Sequence, residues 1–133
     1  ISPPGERRSD LKYHLLEEFV DGKIIVLVDD SIVRGDTLKD RVKEMKEAGA
    51  KEVHVRISSP ILTSPCYYGI DIPTREEIIG STMTVHEIKE FLGADSLKYL
   101  DEIFLREVLK DFGSDPQKYC MACFNGIYPI KIS

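Results

Sequence analysis

Two adjacent aspartates follow a run of five apolar residues, and they are the most chemically informative feature of the sequence. The run is IIVLV (24–28), and Asp29 and Asp30 come directly after it. Neighbouring carboxylates repel each other and are costly to desolvate unless a cation or hydrogen-bond donors meet them. Ribose hydroxyls and Mg²⁺ are natural partners for such a pair. The pair therefore predicts a ligand that carries hydroxyl groups.

The segment SIVRGDT (31–37) adds the features of an anion site. Its backbone N–H groups lead into a helical pattern whose N-terminus favours negative charge, and Gly35 permits a tight backbone. Thr37 offers a hydroxyl donor and a helix cap. Carboxylates followed by a phosphate cradle fit a sugar phosphate. The alternative is that Asp30 and Ser31 only cap a turn that Gly35 completes.

Other phosphate-binding motifs are excluded by spacing. The loop lacks the Gly-Lys-Ser/Thr of a Walker sequence and the glycine spacing of a dinucleotide fingerprint. Within the loop, Arg34 either contacts the anion or faces solvent. Asp36 places a carboxylate beside the expected phosphate, so we expect its side chain to point to solvent and to contribute only its N–H.

Three cysteines, Cys66, Cys120 and Cys123, do not form a disulfide framework, because their number is odd. A Cys-x-x-Cys pair in a reducing compartment indicates metal or redox chemistry first. The alternative is three reduced, partly buried thiols.

The elements that position these residues begin with a βαβ unit. The apolar run 24–28 predicts a strand covered on both faces, as in a parallel sheet. A helical period runs from Thr37 to a stop at Gly49, and VHVRI (53–57) alternates as a second strand. This pattern predicts an α/β fold with a parallel sheet.

The flanking regions are less regular. Residues 1–22 predict an N-terminal arm and a short helix, and residues 23–133 form the domain proper. The long segment 58–73 predicts a functional loop, and two capping boxes follow, Thr74 with Glu77 and Thr84 with Glu87. An amphipathic helix or a pair of helices is expected over 96–113, and loop and extended structure in the tail.

Composition limits the class of protein. The chain has 133 residues, a net charge of −5 and no basic block, which predicts one domain and no nucleic-acid partner. No apolar run is long enough to span a bilayer, so we expect a cytoplasmic protein that makes no contact with a membrane. Because residue 1 is Ile, we expect a chain that is processed, trimmed or cut from something longer.

Several motifs together resemble one family. VLVDDSIVRGDT resembles the phosphoribosyl pyrophosphate (PRPP) signature of type I phosphoribosyltransferases, in the form used by glutamine amidophosphoribosyltransferases of purine synthesis. HVRISSP, PCYYGIDIPTREEII, GADSLKYL and YCMACFNGIYP resemble that family in the same order. The resemblance runs from about residue 20 to the end. It implies a type I phosphoribosyltransferase-like sheet with a helical C-terminal region, and it makes residues 23–133 the C-terminal part of a phosphoribosyltransferase domain.

The resemblance also implies an activity and a set of ligands. The family displaces pyrophosphate from C1 of PRPP with ammonia, taken from glutamine, to give 5-phosphoribosylamine; the chain would be an incomplete glycosyltransferase. By similarity, Asp29 and Asp30 would be catalytic and would hold the ribose hydroxyls and Mg²⁺. The 5′-phosphate would lie against the loop residues Ser31, Ile32, Val33, Arg34, Gly35, Asp36 and Thr37.

Further partners are implied in the same way. Iron–sulfur members of the family carry a [4Fe–4S] cluster, and three of its four cysteines occur in the contexts of Cys66, Cys120 and Cys123. Purine nucleotides would inhibit, and the glutaminase half of the enzyme, which nothing here resembles, would supply ammonia. An apolar surface left by absent parts predicts self-association, a homo-oligomer. The competing hypotheses are a non-catalytic PRPP- or nucleotide-binding module and a structural remnant.

Overall fold

A three-stranded parallel sheet forms the centre of the computed structural model, which describes residues 16–130. Its strands are β1 (Ile24–Asp29), β2 (Glu52–Ile57) and β3 (Ser96–Tyr99), and they lie in the order β1-β2-β3. Asp29 is opposite Ile57 in the register, so the aspartate pair lies at the carboxyl edge of the sheet. The α/β class, the parallel sheet and the βαβ unit predicted from the sequence are confirmed.

Five labelled helices and two short 3₁₀ turns complete the described part of the chain. The helices are α1 (Asp36–Glu47), α2 (Ile79–Thr82), α3 (Val85–Leu92), α4 (Glu102–Asp111) and α5 (Ala122–Asn125). The 3₁₀ turns are Arg75–Glu77 and Pro116–Lys118. Residues 16–20 are helical, and the earlier part of the predicted N-terminal arm and helix lies outside the described residues. Among residues 16–130, no helix is both long and apolar enough to cross a membrane.

The hydrophobic core lies on one face of the sheet, between the strands and the helices α1 and α3. Val53 and Val55 of β2 are fully buried there, together with Ile88 of α3. Val42 of α1 is 1% exposed. Burial of such side chains stabilises the fold by about 1.5–3 kcal/mol each. The core therefore fixes the end of β1 and the start of α1, which bracket the predicted phosphate loop.

The other face of β1 is open, and the prediction of a strand covered on both faces is wrong. The side chains that point to this face, Ile24, Val26 and Val28, are 58%, 60% and 67% exposed. Periodicity could not reveal this, because all five residues of the run are apolar whichever face is covered. Within residues 16–130, nothing packs over these three side chains to bury them.

Polar side chains of β2 and β3 continue the open face. His54 Nδ1 lies 2.6 Å from Ser96 Oγ, and its Nε2 lies 2.8 Å from Glu52 Oε2. Arg56 donates to the same Ser96 oxygen at 2.9 Å. The two bonds to Ser96 tie β2 to β3, and they engage His54 in the structure of the sheet.

The predicted helix over 96–113 is wrong in its first part. Residues Ser96–Tyr99 pair with β2 as a strand, and Leu97 is buried in the core. The helix α4 begins only after Asp101, whose carboxylate accepts the N–H of Ile103 at 2.7 Å. Four residues are too few to show a strand period beside a strong helical pattern. The helical part, from residue 102 to 111, is confirmed.

The two predicted capping boxes have different outcomes. At Thr84 the side chain accepts the N–H of Glu87, and the carboxylate of Glu87 accepts the N–H of Thr84, both at 3.2 Å. At Thr74 no side-chain cap forms, and the hydroxyl contacts a carboxylate oxygen of Glu77 instead. The N–H of Glu77 instead donates to the carbonyl of Thr74 at 3.0 Å, and the other carboxylate oxygen of Glu77 accepts from Arg34. The tail, predicted as loop and extended structure, contains the short helix α5.

Candidate functional site

The aspartate pair lies at the carboxyl end of β1, where ligands of open parallel sheets bind. Asp29 is half-buried, and its Oδ1 accepts the N–H of Asp30 at 2.8 Å. Asp30 is exposed, and its Oδ1 accepts the hydroxyl of Ser31 at 3.1 Å. The two carboxylates therefore differ in environment. Asp29 lines the cavity at the end of β1, and Asp30 is more open to solvent.

The cavity, of about 270 Å³, lies between the end of β1 and the start of α1. It is lined by Asp29 and by every residue from Ser31 to Leu38. Within residues 16–130, no backbone N–H of residues 31–37 donates to another described group. Backbone N–H groups that lack an acceptor beside a cavity and a helix start are suited to an oxyanion such as phosphate. The structure thus brings together all the loop residues predicted from the sequence, with Asp29 at the edge of the cavity.

Gly35 gives the loop its shape. Its φ of +85° lies in the left-handed region, where a side chain is disfavoured. A Cβ at this position would lie 3.2 Å from Ile79 Cδ1 and 3.2 Å from Phe91 Cε1. The loop therefore packs closely against α2 and α3. Ile32, which is 3% exposed, anchors its other side in the core.

The start of α1 differs in one detail from the prediction. The helix begins at Asp36 with Gly35 as the N-cap, and no side chain caps it. The expected cap from Thr37 is therefore absent, because Thr37 lies inside the first turn. Both Asp36 and Thr37 are exposed.

Arg34 points to a partner that the sequence did not indicate. Its Nη2 donates to Glu77 Oε2 at 2.6 Å, and its Nε donates to the same oxygen at 3.1 Å. The hydrogen bond and the charge of Glu77 raise the pKa of Arg34, and the carboxylates of Asp71 and Asp36 act in the same direction. The pair is 57% and 48% exposed. Beside it, the N–H of Ile79 donates to the carbonyl of Val33 at 2.9 Å.

The cysteines lie in two segments that the fold joins. The N–H groups of Thr63 and Ser64 both donate to the carbonyl of Cys123, at 2.8 and 3.1 Å. The hydroxyl of Tyr128 donates to the carbonyl of Pro65 at 2.8 Å. The segment before Cys66 is therefore held against the segment that carries Cys123.

The three cysteines form no disulfide bond. Cys66 and Cys123 are half-buried, and Cys120 is exposed. Burial raises the pKa of the Cys123 thiol, and the charges of Cys120 and Cys66 raise it further. Thiolates suit iron–sulfur clusters and zinc. In the part of the chain that the structure describes, however, no three His, Cys, Asp or Glu side chains are arranged to hold a metal ion.

Tyrosine side chains pack around this region. The rings of Tyr67 and Tyr128 have centroids 5.2 Å apart, and those of Tyr68 and Tyr128 are 6.2 Å apart. The N–H of Tyr68 also lies 3.4 Å from Cys66 Sγ. The three tyrosine rings therefore form an aromatic cluster beside Cys66.

Sequence reasoning missed the residues that support the loop. Glu77, Ile79 and Phe91 contact it from more than forty residues away in the chain. Glu77 carried a local signal, the apparent capping box at Thr74, that pointed to a different role. No spacing rule connects such distant positions.

Comparison with known proteins identifies relatives over nearly the whole chain. No family model matches it. It is 48% identical over 121 residues to "Amidophosphoribosyltransferase, chloroplastic" of Vigna aconitifolia, covering 91% of this chain and 24% of that protein. It is 52% identical over 130 residues to "Amidophosphoribosyltransferase" of Pyrococcus horikoshii, covering 97% of this chain and 28% of that protein. The chain thus spans about a quarter of the length of these relatives.

A solved structure shows the same fold. Glutamine phosphoribosylpyrophosphate amidotransferase from B. subtilis, complexed with ADP and GMP, matches with a TM-score of 0.79 and 46% sequence identity. The match covers 88% of this chain and 26% of that structure. Sequence and fold therefore agree on one group of relatives.

Proposed function

We propose that this chain, which belongs to the amidophosphoribosyltransferase family over a segment about a quarter of its relatives' length, forms the PRPP-binding part of such an enzyme. The complete enzyme would be a glycosyltransferase of purine synthesis. Ammonia attacks C1 of PRPP, the C1–N bond forms, the bond from C1 to the pyrophosphate oxygen breaks, and the nitrogen loses a proton. The product is 5-phosphoribosylamine.

One observation carries this proposal: residues 31–37, whose backbone N–H groups donate to no described group, line a cavity together with Asp29. The 5′-phosphate accepts hydrogen bonds from these N–H groups at the start of α1. Its ribose then extends toward Asp29 and Asp30, whose carboxylates accept the ribose hydroxyls. Mg²⁺ held by Asp29 and Asp30 would supply charge neutralisation for pyrophosphate.

The chain's own contribution to the reaction is positioning and electrostatics. C1 becomes positively charged as pyrophosphate leaves, and carboxylates near the sugar stabilise that charge. No nucleophilic side chain is needed, because ammonia is the nucleophile. Holding the sugar at its phosphate end and its hydroxyls fixes the reacting carbon relative to ammonia.

The test is calorimetric titration of PRPP into the chain, with and without Mg²⁺. We expect Mg²⁺-dependent binding that weakens at least tenfold in Asp29→Asn, since a charge-assisted hydrogen bond is worth about 1.5–3 kcal/mol. Asp40→Asn, an exposed position on α1 outside the cavity, is the matched control. Equal binding by both variants, or no binding by a folded wild-type chain, would refute the proposal.

The competing function is a non-catalytic module that binds PRPP or nucleotides. The observation that favours it is that the groups around the cavity, the Asp29 carboxylate and the backbone of residues 31–37, can all bind a sugar phosphate without turnover. Adding ammonium salt and PRPP and measuring pyrophosphate release separates the two hypotheses. Binding without release supports the module.

We also propose that Cys66, Cys120 and Cys123 hold an iron–sulfur cluster together with one further ligand. Their thiolate chemistry fits the cluster, and the contacts around Cys123 already join the two segments that carry them. A bound cluster would cross-link these segments. Anaerobic reconstitution followed by iron and sulfide analysis tests this. Cys66→Ser should lower the iron content, and an unchanged, near-zero iron content in the wild-type chain would exclude it.

Purine nucleotides are further candidate ligands of the same cavity. Purine nucleotides share a ribose 5′-phosphate with PRPP, and the B. subtilis relative is complexed with ADP and GMP. We therefore propose competitive inhibition by purine nucleotides. A homo-oligomer and a cytoplasmic location are proposed as well; some relatives are named as chloroplastic.

A further inference from the structure

Two contacts between distant segments hold the middle of the phosphate loop. The N–H of Ile79, the first residue of α2, donates to the carbonyl of Val33 at 2.9 Å. The guanidinium of Arg34 donates twice to Glu77 Oε2, at 2.6 and 3.1 Å. Both contacts reach residues 33 and 34 from the segment that follows the cysteine-bearing loop. The backbone of residues 33 and 34, which lines the cavity, is therefore held by residues 77 and 79.

The orientation of Arg34 decides what its charge can do. Its Nε and Nη2 both point to one carboxylate oxygen of Glu77, and the carboxylates of Asp71 and Asp36 are its other acidic neighbours. An arginine with this environment has its positive charge balanced by protein groups. The unused N–H donors of residues 31–37 remain the chain's means of holding a phosphate.

We infer that Arg34 and Glu77 are positioning residues of the loop, which keep its backbone N–H groups aimed into the cavity. The guanidinium acts on the loop and on Glu77, and the phosphate is bound by the backbone. This inference rests on the proposed function, because it assigns a role in PRPP binding. It goes beyond it by naming Glu77, which lies outside the loop, as a determinant of affinity.

The expected effect is modest and has a defined pattern. The two side chains are about half exposed, and exposed ion pairs contribute weakly to stability. If that contribution holds the loop in its binding conformation, loss of the pair weakens PRPP binding by about twofold to fivefold. The thermal midpoint should change little.

The experiment compares Arg34→Gln, Glu77→Gln and the double variant by titration with PRPP and Mg²⁺. We expect each single variant to weaken binding by the same factor, and the double variant to be no weaker than either, because each change removes the same interaction. Arg106→Gln is the matched control. It removes another Arg–Glu pair, the one with Glu102 at 2.9 Å on α4, and should leave affinity unchanged.

The sign of the Glu77→Gln effect separates positioning from direct contact. If the guanidinium bound the phosphate itself, releasing it from Glu77 would strengthen binding, while Arg34→Gln would weaken it by more than about tenfold. That pattern would overturn the inference, and so would unchanged affinity in both variants.

A measurement without ligand keeps the inference testable if the proposed function fails. In the NMR spectrum of the free chain, Glu77→Gln should shift the Nε–H resonance of Arg34 and the amide resonance of Ile79, and Arg106→Gln should not. Absence of these shifts would overturn the inference. If they occur but PRPP does not bind the wild-type chain, the pair fixes the loop and the proposed function is what fails.

Discussion

Replacing Gly35 by alanine tests whether the conformation of one residue governs the phosphate loop. Gly35 combines a φ of +85° with close contacts on two sides, since a Cβ would lie 3.2 Å from both Ile79 Cδ1 and Phe91 Cε1. These contact atoms are the ends of flexible side chains, so they can move by a few tenths of an ångström. The backbone conformation cannot relax so easily, because the loop is bonded to α2 and begins α1.

The magnitude follows from the two contributions. A left-handed conformation costs an L-residue roughly 1–2 kcal/mol, and displaced side chains in a packed region add up to about 1 kcal/mol. The free energy of unfolding should therefore fall by about 1–3 kcal/mol, which lowers the thermal midpoint by roughly 3–12 °C for a chain of this size. Misdirecting one N–H donor removes a charge-assisted hydrogen bond, so PRPP binding should weaken about tenfold or more.

Thermal unfolding by circular dichroism and titration with PRPP measure the two effects. Gly22→Ala is the matched control, because Gly22 has a φ of +73° and a Cβ at this position would have no atom within 4 Å. It should show the backbone cost alone and leave PRPP affinity unchanged. If Gly35→Ala is destabilised as expected but binds PRPP like the wild-type chain, the loop is not the phosphate cradle. If it loses no more stability than Gly22→Ala, its packing against α2 and α3 is weaker than the distances indicate.

Three further predictions concern the scaffold. Gly80→Ala should destabilise the chain by more than Gly35→Ala in thermal unfolding, because its Cβ would lie within van der Waals overlap of the backbone carbonyl of Leu62; an unchanged midpoint would contradict this. Val26→Lys should abolish self-association, since Val26 is 60% exposed on the open face of β1; a wild-type chain that is monomeric by light scattering at high concentration would contradict the prediction. Burial raises the pKa of Tyr99 to about 12, so the free energy of unfolding measured by denaturant titration should fall as the pH rises from about 10 toward 12, because the unfolded chain loses this proton first. Tyr99→Phe should remove that fall and be neutral or stabilising at neutral pH, because the hydroxyl is buried without a partner among the described residues; a large loss of stability would contradict this.

The features that the sequence predicted well are those fixed by neighbouring residues. The strand before Asp29, the helix that ends near Gly49 and the capping box at Thr84 all depend on residues within a few positions of one another. Hydrophobic period, capping chemistry and glycine stops operate at this range. The residues that line the cavity could also be named from the sequence, because the end of the strand, the tight loop and the start of the helix are contiguous in the chain.

The features that the sequence did not predict depend on contacts across the fold. Ser96–Tyr99 became a strand because β2 offered a pairing edge, which a helical pattern in the following residues concealed. The open face of β1 could not be told from a covered one, since its residues are apolar on both sides. In each case the deciding partner lies far along the chain or is not specified by local pattern.

The phosphate loop shows why chemistry was easier to infer than positioning. Its proposed binding groups are backbone N–H donors, which every residue from 31 to 37 possesses, so only Gly35 and the aspartates before it leave a clear mark on the sequence. The side chains of the loop are then not needed to bind the phosphate and can stabilise the conformation of the loop. In our inference the ion pair between Arg34 and Glu77 has this role. An arginine in a phosphate loop suggests an anion contact by its charge alone. The hydrogen bonds of Arg34 to Glu77, 43 residues away, are the reason that we infer a positioning role for Arg34 instead.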